Sequence, residues 1–109
     1  MTTTSDVAMH VVDTCSKVFG VTRDDVMGRN RNASVVLARQ SAYWVLRYSY
    51  GMSWNQIGGL MQREHSTVLQ QAGRMEWMMI HRPYIAALVN GILIDLKRDP
   101  VPPKQAVRN

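Results

Sequence analysis

Apolar residues recur along this chain at intervals of three and four, never in sustained alternation, which is the pattern of helices that bury one face. Val7, Val11, Val12, Cys15, Val18 and Phe19 predict a first helix over about 5–19, stopped at Gly20. Thr22, Arg23, Asp24 and Asp25 read as an N-cap with an acidic first turn, opening a short helix that ends at Gly28. The polar run Arg29-Asn30-Arg31-Asn32 is a loop. A long helix then runs from Ala33 or Ser34 to about Tyr50, with Val35, Val36, Ala42, Val45 and Leu46 on its apolar face, and closes at Gly51. Ser53 followed three residues later by Gln56 is a capping-box pair for a short helix from Trp54 to about Leu60. A turn at Met61 to Arg63 leads into a longer helix from His65 to about Ile80, and Pro83 suits the first turn of a last helix over about 83–98. The expected fold class is all-α, a compact bundle of about six helices containing a helix-turn-helix over about 53–80. It forms one unit over 1–98, with a loose proline-containing tail over 99–109.

Composition narrows the class. A chain of 109 residues with 46% hydrophobic residues can bury one modest core and no more. Thirteen lysines and arginines against eight carboxylates favour an anionic partner. The excess sits in the middle, where residues 20–82 hold eight arginines against four carboxylates. Arginine's planar fork matches phosphate and guanine. The lone Cys15 lies on an apolar helix face and reads as a buried structural thiol in a reducing setting. The start, MTTTSDV, shows no signal-peptide pattern, and the stretch Tyr84 to Leu96 is broken by Asn90, Gly91 and Asp95, so no membrane association is expected. His10, Cys15, His65 and His81 lack chelating spacing, so no metal is expected. No residue set suggests catalysis, and the chain is not expected to be an enzyme or to carry a cofactor.

The stretch from Ser53 to Met79 carries the chemistry. A capped short helix, a turn and a longer helix with a polar first turn form the helix-turn-helix outline, in which the second helix pushes its leading end into the major groove of duplex DNA. That leading end is Arg63-Glu64-His65-Ser66-Thr67, five side chains able to hydrogen-bond base edges or phosphates, with Val68 and Leu69 following to anchor the helix. Capping alone would favour similar residues at any helix start.

The run Ile57-Gly58…Arg63-Glu64-His65-Ser66-Thr67-Val68-Leu69 resembles the I-G…F-G-G-R-D-H-T-T-V-L signature of the C-terminal DNA-binding domain of DnaA, the bacterial chromosomal replication initiator. Upstream, Ser34 through Ala42 resembles that family's S-V-A-R-A-R-Q-I-A segment, and Val18-Phe19-Gly20-Val21-Thr22 through Val26 its opening Y-F-x-V…D-L. The resemblance covers about residues 7–79 and implies a helical fold with a Trp-repressor-like helix-turn-helix. It implies His65 and Thr67 in the major groove beside Ser66, which keeps a hydroxyl in place of threonine, and Glu64, which extends the family's aspartate by one methylene. Arg31 aligns with an arginine inserted in the minor groove, Arg29 with its basic neighbour. Arg47, Arg63 and the helix start at Ser53 and Asn55 are implied near phosphates, and Arg39 and Gln40 on a phosphate or in local support.

Two departures stand out. The turn Met61-Gln62-Arg63 is one residue shorter than the family's and lacks its glycines, and Asn30, Ala33 and Leu37 occupy positions where the family is often basic. No G-x-x-x-x-G-K-[ST] run occurs, so no nucleotide is expected. The expected function is therefore sequence-specific double-stranded DNA binding by a stand-alone box reader in replication control or transcription. It would act in the bacterial cytoplasm or nucleoid, with a mobile element or phage among its expected sources. The alternative is a protein-interaction module in which the apolar residues 84–96 hold a second copy or a replication protein.

Overall fold

The computed structural model describes residues 2–102. Six helices and no strand are found among them: α1 (Thr4–Phe19), α2 (Arg23–Met27), α3 (Ala33–Tyr48), α4 (Trp54–Met61), α5 (His65–His81) and α6 (Pro83–Asp95). Their starts follow local chemistry. Thr3 with Asp6, Thr22 with Asp25 and Ser53 with Gln56 each form a reciprocal capping box, and the Asn32 side chain caps α3 through the Ser34 amide at 3.0 Å. Gly20 ends α1 in the left-handed conformation (φ 70°).

The long α3 runs through the centre, with α1 packed on one side and α5 on the other, while α4 and α6 brace α5. Trp44, Tyr43, Leu46, Val11, Val12, Ile57, Met75, Ile92 and Leu93 are fully buried in one continuous cluster. Cys15 is buried there as expected, and burial pushes its thiol pKa up well beyond the ordinary range. Across the α3–α5 contact, the indole Nε1–H of Trp44 donates to the carboxylate of the buried Glu76, and the Gln40 amide donates to Gln71. These polar links fix the register of α5 on α3 within an otherwise apolar contact.

One expectation needs revising, and two sets of side chains fall where residue type alone does not place them. Of the apolar run at the end of α5, only Met75 and Met79 are buried; Trp77 and Ile80 are exposed. Tyr43 does not bring its hydroxyl to the surface but is buried, which raises its pKa, an effect the nearby Arg63 and Arg39 cations oppose. The last helix ends at Asp95 rather than near 98. Lys97 adopts a left-handed conformation (φ 58°), the Arg98 amide donates back to the Leu93 carbonyl, and the Arg98 guanidinium turns onto Ser49 and the Tyr50 ring. Most of the tail expected over 99–109 lies outside the described residues. Among the described residues no single helix is long and apolar enough to cross a membrane; α5 and α6 reach that composition only as a pair bent by 114°.

Candidate nucleic-acid interface

The turn between α4 and α5 consists of Gln62, Arg63 and Glu64. The Arg63 amide donates back to the Gly58 carbonyl at 2.8 Å, and Gln62 takes the left-handed conformation (φ 57°) that a glycine usually fills at a helix C-terminus. The shorter, glycine-poor turn therefore closes by putting a side-chain-bearing residue in the left-handed region, and α5 still starts at His65. Gly58 makes this close approach possible: a Cβ there would stand 2.6 Å from the Arg63 carbonyl oxygen.

At the start of α5, Glu64, His65, Ser66 and Thr67 are all exposed. Glu64 is the N-cap residue, yet it makes no side-chain cap bond. Among the described residues, no hydrogen bond engages the Ser66 or Thr67 hydroxyls, so capping does not account for them. The first backbone amides of α5 point outward with the positive end of the helix dipole, an arrangement that attracts an anion.

Facing this end is the loop between α2 and α3. The Asn30 side chain accepts from the Asn32 amide at 2.9 Å, which folds the loop back on itself and leaves Arg29 and Arg31 exposed at its tip. Two arginines hold the loop from behind. Arg39 donates from Nε to the Val26 carbonyl (2.8 Å) and from Nη2 to the carbonyls of Asp25 (3.0 Å), Gly28 (3.0 Å) and Asn30 (3.1 Å). Arg63 reaches across from the helix-turn-helix turn, donating to the Met61 and Gln62 carbonyls (both 3.2 Å) and to the carbonyl of Gly28. Partial burial draws the Arg39 pKa down, with the charge of Arg63 adding to the effect, so the two cations share one confined space.

An open groove of about 920 Å³ separates the loop from α5. Of the residues singled out in sequence, Arg29, Arg31, Arg39, Gln40, Arg63, Glu64 and Thr67 line it. His65 and Ser66 do not line it but stand exposed next to Thr67 at the start of α5, and Arg47, Ser53 and Asn55 lie together at the opposite end of α4, where Arg47 bonds the Met52 carbonyl (3.2 Å) and stacks over Trp54 (4.8 Å). Ser53 spends its hydroxyl on the Gln56 amide. Gln40, expected at a phosphate or in support, is only 4% exposed and its amide is turned to Gln71. For Arg39 and Gln40 it is thus the supporting role that has visible contacts, and Arg63 likewise spends its donors on carbonyls.

Sequence reasoning missed Gln71 and Arg74, which line the same groove. Their positions, four and seven residues beyond Thr67, put all three on one face of α5, a signal that helical spacing could have supplied. Five arginines and one carboxylate border the groove, so its field is strongly positive.

A capped short helix, a tight turn and a longer helix with a free polar leading end define this as a helix-turn-helix protein. The chain belongs to the bacterial DnaA protein helix-turn-helix family, whose pattern matches residues 8–74. Among its relatives is the chromosomal replication initiator protein DnaA of Bifidobacterium animalis subsp. lactis, 33% identical over 99 residues, covering 87% of this chain and 17% of that protein. The DnaA of Mycoplasma genitalium is 29% identical over 84 residues, covering 77% of this chain and 19% of its own length. That of Kosmotoga olearia is 29% identical over 70 residues, 64% of this chain and 16% of the relative. The chain spans less than a fifth of the length of these curated relatives.

Proposed function

We propose that this chain is a reader of a short, asymmetric duplex DNA site of the initiator-box kind, serving replication control or transcription in the bacterial nucleoid and using no nucleotide. The observation that carries this reading is the opposition, across one positive groove, of an uncommitted polar helix end and an arginine-tipped loop. One phosphate backbone fits between them, with the major groove on the side of α5 and the minor groove on the side of Arg31. Glu64, His65, Ser66 and Thr67 then face base edges, and Arg31 meets the negative potential of a narrow minor groove. Arg29 and Arg74 hold the strand between, while Arg47 and the amides at Ser53 and Asn55 meet the backbone on the far side of the major groove. Arg39, Gln40 and Arg63 act as positioning residues behind this surface.

Anisotropy titrations on a TTATCCACA-like duplex and a scrambled one test the assignment. His65→Ala and Arg31→Ala each cost about 1–3 kcal/mol on the specific site, whereas Arg74→Ala weakens both duplexes alike. With Arg29, Arg47 and Arg74 on phosphates and Arg31 in the minor groove, the logarithm of affinity falls against that of salt with a slope of roughly −3 to −4. Equal effects of His65→Ala and Arg74→Ala on the two duplexes would sink the division of roles. A second reading, a protein partner held by residues 84–96, draws support from Ile94, 72% exposed on α6. Capture of a partner that survives nuclease treatment distinguishes it.

A further inference from the structure

Beside the groove between the loop and α5 lies a second one of about 580 Å³, bounded by the start of α3, the latter half of α5 and the start of α6. Its character differs. Leu37 and Met78 form an apolar floor, Trp77 and Tyr84 stand at its edge 53% and 62% exposed, and Arg31, Arg74 and Arg82 supply charge. No carboxylate lines it. Trp77 is held in place rather than loose: the His81 ring packs against it at 4.3 Å between centroids, and the Arg82 guanidinium lies 5.8 Å from its centre.

These features narrow the occupant. A second copy of the chain seated by the same face would bring Arg31, Arg74 and Arg82 against their own counterparts, a like-charge arrangement that opposes pairing. A duplex presents phosphates but keeps its base faces stacked inside, so it leaves two exposed aromatic rings unused. A single strand offers both regularly spaced phosphates and free base faces, the pair of groups that arginines and aromatic rings bind together. Arg31 and Arg74 line both grooves, so the positive track is continuous from one to the other.

We propose that this second groove binds single-stranded DNA, with bases stacking on Trp77 and Tyr84 and phosphates held by Arg74 and Arg82. It binds without strong base preference, because stacking and charge carry the affinity. The site requires no duplex, and its success or failure is separate from that of the box-reading assignment.

The test uses the full chain with a labelled twelve-residue oligothymidylate, a blunt duplex and an oligoglutamate peptide. Oligothymidylate quenches tryptophan emission, and Trp77→Ala abolishes that quenching and weakens oligothymidylate binding roughly 5- to 150-fold. The same variant leaves binding of the blunt duplex within about twofold. Trp77→Phe keeps most of the affinity for the strand, which separates loss of stacking from loss of fold. Equal binding of oligothymidylate by wild type and Trp77→Ala, or none by either, overturns the proposal. So does quenching of Trp77 by oligoglutamate at the same charge concentration, which would make the groove a dock for acidic peptides.

Discussion

The guanidinium of Arg63, in the helix-turn-helix turn, hydrogen-bonds the carbonyl of Gly28, at the root of the loop that carries Arg31. Gly28 also accepts from Arg39, so one carbonyl joins the two halves of the interface. This makes a mechanical contribution by Arg63 separable from an ionic one. Arg63→Ala lowers affinity for the specific duplex tenfold or more while leaving the salt slope unchanged; Arg74→Ala lowers the slope by about 0.9. Arg63→Lys does not rescue, because one ammonium cannot span carbonyls on both sides of the gap. Titrations over a salt series check this, and a slope change with Arg63→Ala would reassign the residue to a phosphate.

Gln62 holds a left-handed conformation at φ 57°, which costs a residue bearing a Cβ roughly 1–2 kcal/mol. Glycine avoids that cost but gives back part of the gain through its freer unfolded chain. Gln62→Gly therefore raises unfolding free energy by about 0.5–1 kcal/mol, and Gln62→Val, β-branched and stiffer, lowers it by about 1 kcal/mol or more. Urea titration gives the order: glycine, glutamine, valine. Any other order would mean that the turn relaxes out of this conformation.

Local signals were legible because they act over a few residues. The Thr22 cap, the Ser53–Gln56 box, the stop at Gly20 and the start of α5 at His65 all depend on neighbours in sequence. What the arginines do was not legible. A guanidinium fork suits a carbonyl pair as well as a phosphate, and only the approach of the α2–α3 loop to the α4–α5 turn decides which partner Arg39 and Arg63 meet. Trp77 is hard to read for the opposite reason. Its apolar character suggests the core, but it lies on the side of α5 that no other helix covers, as the exposed Leu69 and Ile80 on the same side confirm. Trp44 and Glu76 lie far apart in sequence, and nothing local announces their bond.

Acid should loosen the contact of α2 with α1. The Arg23 fork donates to both oxygens of Asp13, at 2.8 and 2.6 Å, and this bond holds the Asp13 pKa below its ordinary 3.8. The folded state thus binds this proton less readily than the unfolded chain. The stabilisation is complete above about pH 4 and is lost as pH falls through the depressed folded value. Both groups are about half exposed, so the effect is small. Thermal melts between pH 7 and pH 3 show a smaller drop for Asp13→Asn than for wild type. A drop of the same size would mean that the pair contributes nothing.

Two glycines in adjacent helices should respond to alanine with opposite sign. At Gly73, on the exposed side of α5, an added Cβ meets nothing within 4 Å, and alanine is the better helix former. Gly73→Ala raises stability by about 0.5–1 kcal/mol. At Gly58 the same methyl would press on the Arg63 carbonyl, a backbone atom that cannot swing aside as a side chain does. The first turn of α5 must back away, at a cost of about 1–3 kcal/mol. Because that movement displaces His65 and strains the bond from Arg63 to Gly28, Gly58→Ala also lowers duplex affinity, and Gly73→Ala does not. Melting curves paired with anisotropy on the same preparations decide the matter. If Gly58→Ala is tolerated in both, α4 and α5 do not meet as closely as the Gly58–Arg63 contact implies.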